Sequence, residues 1–221
     1  MRLDEPAALS LRDRKKARRR DEIIQAARRL FAHNGINATT MAEIAEAAEV
    51  SPPTVFNYFG NKDGILIAMI TDGAAEARRT DTALRPRTDA TFDMIVIDML
   101  TQVAARTLDI ASKRVWRYAE AASIRHPTAE LSQEYELVNR ALLGALEEYL
   151  GLYALALRSG EPADIPLLAR MIYDIWNAAY LELLRDQAMD LAAHRAALVT
   201  RLAPLLRLIF APAFCAAPTL R

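Results

Sequence analysis

The sequence predicts an all-α protein, on three observations. Only six Phe, seven Tyr and two Trp occur among 221 residues, and glycine is scarce at seven, a composition that favours helices over strands. Apolar residues recur three and four positions apart over long stretches, which is the helical period. Stop signals such as Asn34-Gly35 and His126-Pro127 separate these stretches. We therefore expect about nine helices, with a three-helix domain at the N-terminus and a larger helical domain after it.

Helix 1 is predicted from Arg20 to Phe31. Ile23, Ile24 and Ala27 begin an apolar stripe that continues through the end of this segment. Asn34-Gly35 follows, and glycine accepts the left-handed conformation that ends many helices.

Helices 2 and 3 are short and have clear start signals. Thr40 and Glu43 form a capping box for helix 2, which we expect to end near Glu49. Ser51 is expected to cap helix 3 by accepting the N–H of Thr54, because Pro52 and Pro53 have no N–H to donate. Val55 and Phe59 are expected to face inward, and Gly60-Asn61 closes the helix.

The remaining helices are longer. Asn61 can cap helix 4, which is predicted from Lys62 to about Ala83 and is followed by a break at Pro86 and Thr88. The later helices are predicted over residues 89–110, 113–125, 128–158, 164–187 and 190–211. The expected domains are a partly disordered basic arm at 1–19, a three-helix domain at 20–66 and a larger helical domain at 67–221.

Positive charge is concentrated near the N-terminus, although the whole chain is neutral with 28 basic and 28 acidic residues. Residues 11–20 contain seven Lys or Arg and a single Asp. Such a local excess suits the phosphates of a nucleic acid. The alternative is a solvated arm that has no partner.

Other classes of site lack support in the sequence. Cys215 is the only cysteine, so no intrachain disulfide can form, and whether it senses redox state stays open. The three histidines are scattered, so we predict no metal and no cofactor. Neither a signal peptide nor a membrane span is indicated, and a cytoplasmic protein without a membrane partner is expected.

Residues 40–58 have the size and spacing of a helix-turn-helix, whose second helix can enter a major groove ~12 Å wide. The side chains expected to contact bases are Pro53, Thr54 and Asn57. Those expected to contact phosphates are Thr40, Ser51, Tyr58, Lys62, Arg18 and Arg19. The alternative is a three-helix unit that only packs.

The stretch from Glu22 to Leu66 resembles the N-terminal domain of the TetR (tetracycline-repressor) family. The matching elements are Ala27, Leu30-Phe31, Gly35, Thr39-Thr40, Ile44-Ala45, Ala48, Val50-Ser51, Thr54, Tyr58-Phe59, Lys62 and Leu66. Two positions depart from the family pattern. Glu49 replaces the usual turn glycine, so it must either adopt a strained conformation or change the turn, and Phe56 replaces a frequent tyrosine.

The resemblance implies a repressor that is released from palindromic operator DNA when a small effector binds the C-terminal helices and shifts helix 4. It also implies that residues 20–66 form a DNA-binding domain and that residues 67–221 form an effector-binding and dimerisation domain. The homodimer would form through the last two long helices. Large side chains on the central helices indicate an apolar or aromatic effector. The candidate ligand residues are Met99, Trp116, Arg117, Glu120, Tyr173, Trp176, Asn177 and Tyr180. The candidate dimer residues are Ile172, Ile175, Leu183, Leu198, Leu202, Leu205 and Ile209. Alternatively, these two helices complete a monomeric core.

Two other classes compete with a regulator. An enzyme would need a site assembled wholly by the fold, because no nucleophile–base pattern or phosphate-binding loop occurs in the sequence. A peripheral membrane module would use the basic arm on anionic lipid, although residues 11–20 lack bulky apolar partners for insertion beyond Leu11.

Overall fold

The computed structural model describes residues 10–80 and 85–221, except the side chains of residues 78–80. All regular secondary structure within these residues is α-helical, which confirms the predicted fold class. The helices are α1 Leu11–His33, α2 Met41–Ala47, α3 Pro52–Phe59, α4 Lys62–Thr80, α5 Phe92–Ile110, α6 Lys113–Arg125, α7 Glu130–Gly151, α8 Ile165–Arg185, α9 Leu191–Ile209 and α10 Pro212–Ala216. None of the described helices is long and apolar enough to cross a membrane.

Helix α1 begins at Leu11, more than two turns before the predicted start at Arg20. Ser10 caps it, because its hydroxyl accepts the N–H of Asp13 at 3.2 Å. The basic residues that follow are good helix formers and include no Gly or Pro, so nothing interrupts the helix. Residues 11–20 are therefore helical, while the first nine residues of the predicted arm lie outside the described chain.

Helix α7 ends at Gly151, earlier than the predicted 158, because the chain pairs there with a distant segment. The N–H of Ala154 donates to the carbonyl of Thr219 at 2.9 Å, and that of Ala211 donates to Ala156 at 2.8 Å. We call residues 152–158 and 209–221 the tail clasp. It includes α10, which the sequence analysis did not predict. The predicted end of α4 near Ala83 lies outside the described residues.

The chain divides into two compact units after Met69, within α4. The N-terminal unit comprises α1, α2, α3 and the start of α4, and the boundary at residue 66 that the sequence predicts lies in the same helix. Its core consists of side chains that are fully buried. These are Ile23, Ala27, Phe31, Ile44, Val55, Ile65, Leu66 and Met69.

The C-terminal unit is built on α5, which packs mainly against α9, while α6 packs on α7 and α7 on α8. Phe92 lies at the centre of an aromatic cluster at the start of α5. Its ring centroid is 5.2 Å from Tyr153, 5.0 Å from Phe210 and 4.9 Å from Phe214. The cluster attaches the tail clasp to α5, since burial of aromatic side chains is strongly stabilising.

An ion pair next to this cluster joins α5 to α9. The carboxylate of Asp93 is 1% exposed, and Arg207 donates to its Oδ2 from Nε at 2.8 Å and from a terminal nitrogen at 2.7 Å. A second pair joins Arg195 to Asp98 at 2.7 Å. A buried carboxylate is tolerated only when it is paired, so Arg207 keeps Asp93 compatible with the core.

The substitution Arg207→Met tests this pair. It leaves the buried Asp93 charge without its cation, and we expect the free energy of unfolding to fall by about 2 kcal/mol in denaturant titrations. The control is Arg201→Met, whose partner Glu182 is exposed at 48%. Its cost should stay below about 1 kcal/mol. Equal losses in the two variants would contradict a special role for the Asp93–Arg207 pair.

Candidate functional site

The start of α3 is fixed by two prolines at its first two positions. Ser51 stands at the N-cap, but its hydroxyl does not cap the backbone as predicted. It lies 2.8 Å from the hydroxyl of Thr54, and the N–H of Thr54 donates to the Ser51 carbonyl at 2.9 Å. The predicted side-chain cap is therefore wrong, because the two hydroxyls pair with each other.

One face of α3 is open to solvent. Val55 is fully buried on the opposite side, while Pro53 and Asn57 are exposed and Thr54 is half-buried. Phe56 is 50% exposed on the same open face, and the sequence analysis did not include it among the base-contacting residues. Its position three residues after Pro53 is the signal that could have identified it.

The turn between α2 and α3 depends on Glu49. Its φ is +54°, a region that side chains other than glycine seldom adopt. The N–H of Val50 donates to the Ala45 carbonyl at 2.9 Å, and that of Glu49 donates to Glu46 at 3.0 Å. These two bonds form a Schellman motif, in which glycine usually occupies the position of Glu49. The sequence left two alternatives for Glu49, a strained conformation or a changed turn, and the structure has the strained conformation.

The predicted capping box of α2 is confirmed. Glu43 donates its N–H to the Thr40 hydroxyl at 3.1 Å, and its carboxylate accepts the N–H of Thr40 at 2.7 Å. The pKa of Glu43 is lowered, first by that backbone hydrogen bond and next by the Thr40 hydroxyl, which donates to the carboxylate at 2.9 Å. The hydroxyl of Thr40 is thus used inside the protein, and its predicted phosphate contact stays a prediction.

Lys62 holds the loop after α1 instead of standing free for a phosphate. Its Nζ donates to the carbonyls of Ile36 at 2.7 Å, Thr39 at 2.9 Å and Asn37 at 3.4 Å. An ammonium group has three protons, and all three are directed at carbonyl oxygens. Lys62 thus has a structural role in this chain, and its predicted phosphate contact stays a prediction.

The basic part of α1 lies against the end of α3. Tyr58 donates its hydroxyl to the Lys16 carbonyl at 3.3 Å, and the Arg20 guanidinium lies 5.8 Å from the Phe59 ring centroid. Arg18 is exposed and pairs with Glu22 at 2.9 Å, and Arg19 is exposed. These contacts join the part of α1 that carries the exposed cations to the end of α3, within the N-terminal unit.

The predicted ligand residues of the C-terminal unit separate into two groups. Met99, Trp116, Trp176 and Tyr180 are core residues, and the two indole N–H groups donate to the backbone carbonyls of Thr107 and Leu100 at 2.7 and 3.1 Å. Arg117 donates to the Leu184 carbonyl. Glu120, Tyr173 and Asn177 form the other group, because they line one cavity of about 230 Å³. The ligand role of all eight residues stays a prediction.

The predicted dimer residues separate similarly. Four of them are buried inside the C-terminal unit and cannot reach a second subunit. These are Ile172, Leu183, Leu198 and Leu202. Ile175, Leu205 and Ile209 are half-buried, and the outward face carries Leu167 and Leu208, which are 56% and 70% exposed. The four buried residues pack within the subunit, contrary to the prediction, and the dimer role of the other three stays a prediction.

Cys215 is buried in the tail clasp, beside a cavity of about 290 Å³ that Asp93, Arg158 and Arg207 also line. Burial raises the pKa of its thiol, and the Asp93 carboxylate acts in the same direction. The neighbouring arginines act in the opposite direction without reversing the shift. A thiol with a raised pKa forms little thiolate at neutral pH, which argues against a redox sensor.

Comparison with known proteins identifies the N-terminal unit. Residues 23–69 match the family described as "Bacterial regulatory proteins, tetR family". The transcriptional regulator TcmR of Streptomyces glaucescens is 41% identical over 66 residues, an alignment that spans 30% of this chain and 29% of that relative. The transcriptional repressor KstR of Rhodococcus jostii is 28% identical over 182 residues, spanning 79% of this chain and 77% of KstR.

A solved structure matches the whole fold. A TetR-family regulator from Mesorhizobium loti superposes with a TM-score of 0.67 at 19% identity, covering 89% of this chain and 99% of that one. The helix-turn-helix of α2 and α3 lies within residues 23–69, the part of the chain that matches this family. The N-terminal unit therefore resembles the TetR family of bacterial regulatory proteins, and the described fold is similar to that of a family member.

The substitution Glu49→Gly tests the strained turn. Glycine adopts positive φ without the steric cost of a Cβ, so we expect the free energy of unfolding to rise by about 1 kcal/mol. The control Glu46→Gly makes the same change inside α2, where it should lower the free energy of unfolding by about 1 kcal/mol. Both are measured by denaturant titration, and a loss of stability in Glu49→Gly would contradict the left-handed conformation.

Proposed function

We propose that this protein is a transcriptional regulator of the TetR type and not an enzyme. It would bind palindromic operator DNA as a homodimer, and a small molecule bound in the C-terminal unit would release it. The proposal of DNA binding rests on the open face of α3, where Pro53, Phe56 and Asn57 are exposed together. The Asn57 amide can donate to and accept from an adenine edge, and Phe56 and Pro53 offer apolar contacts to a thymine methyl.

Phosphate contacts would come mainly from α1. Its exposed cations include Arg18 and Arg19, and the Tyr58–Lys16 hydrogen bond holds this part of α1 beside α3. Phosphate contacts fix the position of a protein on the duplex without selecting sequence. Ser51, Thr40 and Tyr58 can add contacts at the ends of the two short helices.

A homodimer would form through the outward faces of α8 and α9. Leu167, Met171 and Ile175 follow one another at a spacing of four residues on α8, and Leu208 extends the exposed apolar surface on α9. Exposed apolar residues that recur along a helix favour an interface over solvent. A two-fold dimer of this kind would present two copies of α3 to half-sites one helical turn apart.

Effector control would act through α4. This helix begins in the N-terminal unit and continues into the C-terminal unit, so a displacement of its C-terminal part would move the α3 helices of a dimer. Relatives support repression and a ligand response. KstR is named as a repressor, and a FadR regulator from Bacillus subtilis was solved in complex with stearoyl-CoA. The site of action would be the cytoplasm, where bacterial operators lie.

The proposal is tested by selecting bound sequences from random duplex DNA and then titrating the selected duplex at several salt concentrations. We expect a palindrome, tight binding and a marked salt dependence. Titration against anionic vesicles runs in parallel. Vesicle binding together with weak, sequence-indifferent DNA binding would contradict the proposal and favour the membrane alternative.

Base contact by Asn57 is tested with Asn57→Ala. We expect a cost of ~1–3 kcal/mol on the selected operator and a relaxed preference at one base position, measured by fluorescence anisotropy on a set of single-base variants. The control is Arg19→Ala, which should weaken every sequence equally and reduce the salt slope by about 1. An unchanged sequence preference in Asn57→Ala would remove its base-reading role.

The dimer face is tested with Met171→Glu. A carboxylate at the centre of an apolar interface is costly to bury, so we expect a shift from dimer to monomer in analytical ultracentrifugation and weaker operator binding. The control Ile124→Glu places the same charge on an exposed residue of α6 and should leave the dimer intact. Were the two variants to sediment alike as dimers, the face assigned to α8 and α9 would be wrong.

A further inference from the structure

The cavity of the C-terminal unit lies among α6, α7 and α8, and its wall is mainly polar. It has a volume of about 230 Å³, equivalent to about eight water molecules. The side chains that matter most for its chemistry are Glu120, Glu136, Asn139, Arg140, Tyr173 and Asn177. A polar wall of this kind differs from the apolar pocket that the sequence predicted.

Glu120 is the half-buried carboxylate of this cavity. Tyr135 is buried behind it and donates its hydroxyl to Oε2 of Glu120 at 2.8 Å. Burial raises the pKa of Tyr135, and the negative charge of Glu120 raises it further. The Tyr135 hydroxyl therefore remains a donor that orients the carboxylate, and Oε1 of Glu120 is left for another partner.

Negative charge exceeds positive charge around the cavity. Arg170 and Asp174 pair with each other at 3.3 Å, which leaves Glu120 and Glu136 against the single cation of Arg140. The pKa of Tyr173, in the cavity wall, responds to the same excess of negative charge. Its pKa is raised to about 12, first by burial and next by Glu136. A negative, partly desolvated cavity attracts a cation.

Spare hydrogen-bonding groups converge on the same space. Among the described residues, the amides of Asn139 and Asn177 and the carboxylate of Glu136 make no hydrogen bond or ion pair. Ser123 donates its hydroxyl to the Glu120 carbonyl, so its oxygen can still accept. An apolar ligand would displace water from these groups without replacing its hydrogen bonds, which is unfavourable.

We propose that this cavity is the effector site and that it takes a small organic ammonium compound, whose cation pairs with Glu120 while the Asn139 and Asn177 amides bind its polar groups. The cavity volume limits such a compound to roughly ten non-hydrogen atoms. The assignment rests on the proposed function for its regulatory meaning, but the binding itself can be measured without DNA.

The test compares three probes of matched carbon chain, n-butylammonium, butyrate and butanol, by isothermal titration calorimetry on the full chain. We expect n-butylammonium alone to bind. Glu120→Gln keeps the size of the side chain and an acceptor for Tyr135 but removes the charge, so n-butylammonium affinity should fall by about tenfold or more. Glu148→Gln, an exposed change elsewhere on α7, is the control and should bind the probe as the unmodified protein does.

Two results would overturn the assignment. One is binding of butyrate or butanol as tight as that of n-butylammonium, and the other is equal n-butylammonium affinity in Glu120→Gln and Glu148→Gln. Operator affinity is measured in the same preparations without a probe. Operator binding without ammonium binding would reject the effector class and keep the proposed function, whereas ammonium binding through Glu120 without operator binding would reject the proposed function.

Discussion

The ammonium group of Lys62 connects the beginning of α4 to the loop between α1 and α2 through three backbone carbonyls. Thr39 reinforces that loop, since its buried hydroxyl donates to the Gly35 carbonyl at 2.8 Å. Gly64, one turn into α4, has no room for a side chain, because a Cβ there would lie 2.0 Å from the Phe59 carbonyl oxygen. The end of α3 is thereby held directly against the backbone of α4, and the orientation of α3 depends on these contacts.

The exposed face of α3 follows from this arrangement. Burial of Val55 turns one side of the helix into the core and leaves Pro53, Phe56 and Asn57 outside. The Glu49 turn then sets the angle between α2 and α3, and the Asn61 side chain accepts the N–H of Gly64 at 2.9 Å to start α4. Each of these local interactions depends on a particular residue type, so the exposed face of α3 has little freedom to reorient.

Features that depend on neighbouring residues were predictable from the sequence. The capping box of Thr40, the proline start of α3 and the helical period of α5 to α9 all act within a few positions. Features that depend on distant residues were not. The sequence gives no sign that Lys62 meets carbonyls 26 residues earlier. Nor does periodicity distinguish the face of α8 that packs inside the subunit from the face that stays outside, which is why Ile172 was assigned to the wrong one.

The cavity illustrates the same limit, since its wall combines side chains of three helices that are separated along the chain. Large aromatic residues such as Trp116 and Trp176 are candidate ligand residues in the sequence, yet their N–H groups donate to backbone carbonyls in the core. Glu120 differs from the other carboxylates of the cavity because the Tyr135 hydroxyl donates to it, a contact that the sequence does not reveal. The pairing of polar groups, more than their residue types, determines which of them can receive a ligand.

The tail clasp has a consequence for the order of folding during synthesis. In the N-terminal unit the Tyr58–Lys16 hydrogen bond spans 42 positions, whereas in the C-terminal unit Arg207 reaches Asp93 across 114 positions. The ribosome adds ~5–20 residues each second, so the N-terminal unit can fold on the order of ten seconds before Phe210 and Phe214 emerge to cover α5. During that interval the apolar side of α5 is open to chaperones, and the nascent chain has its exposed α3 face before its C-terminal unit is complete.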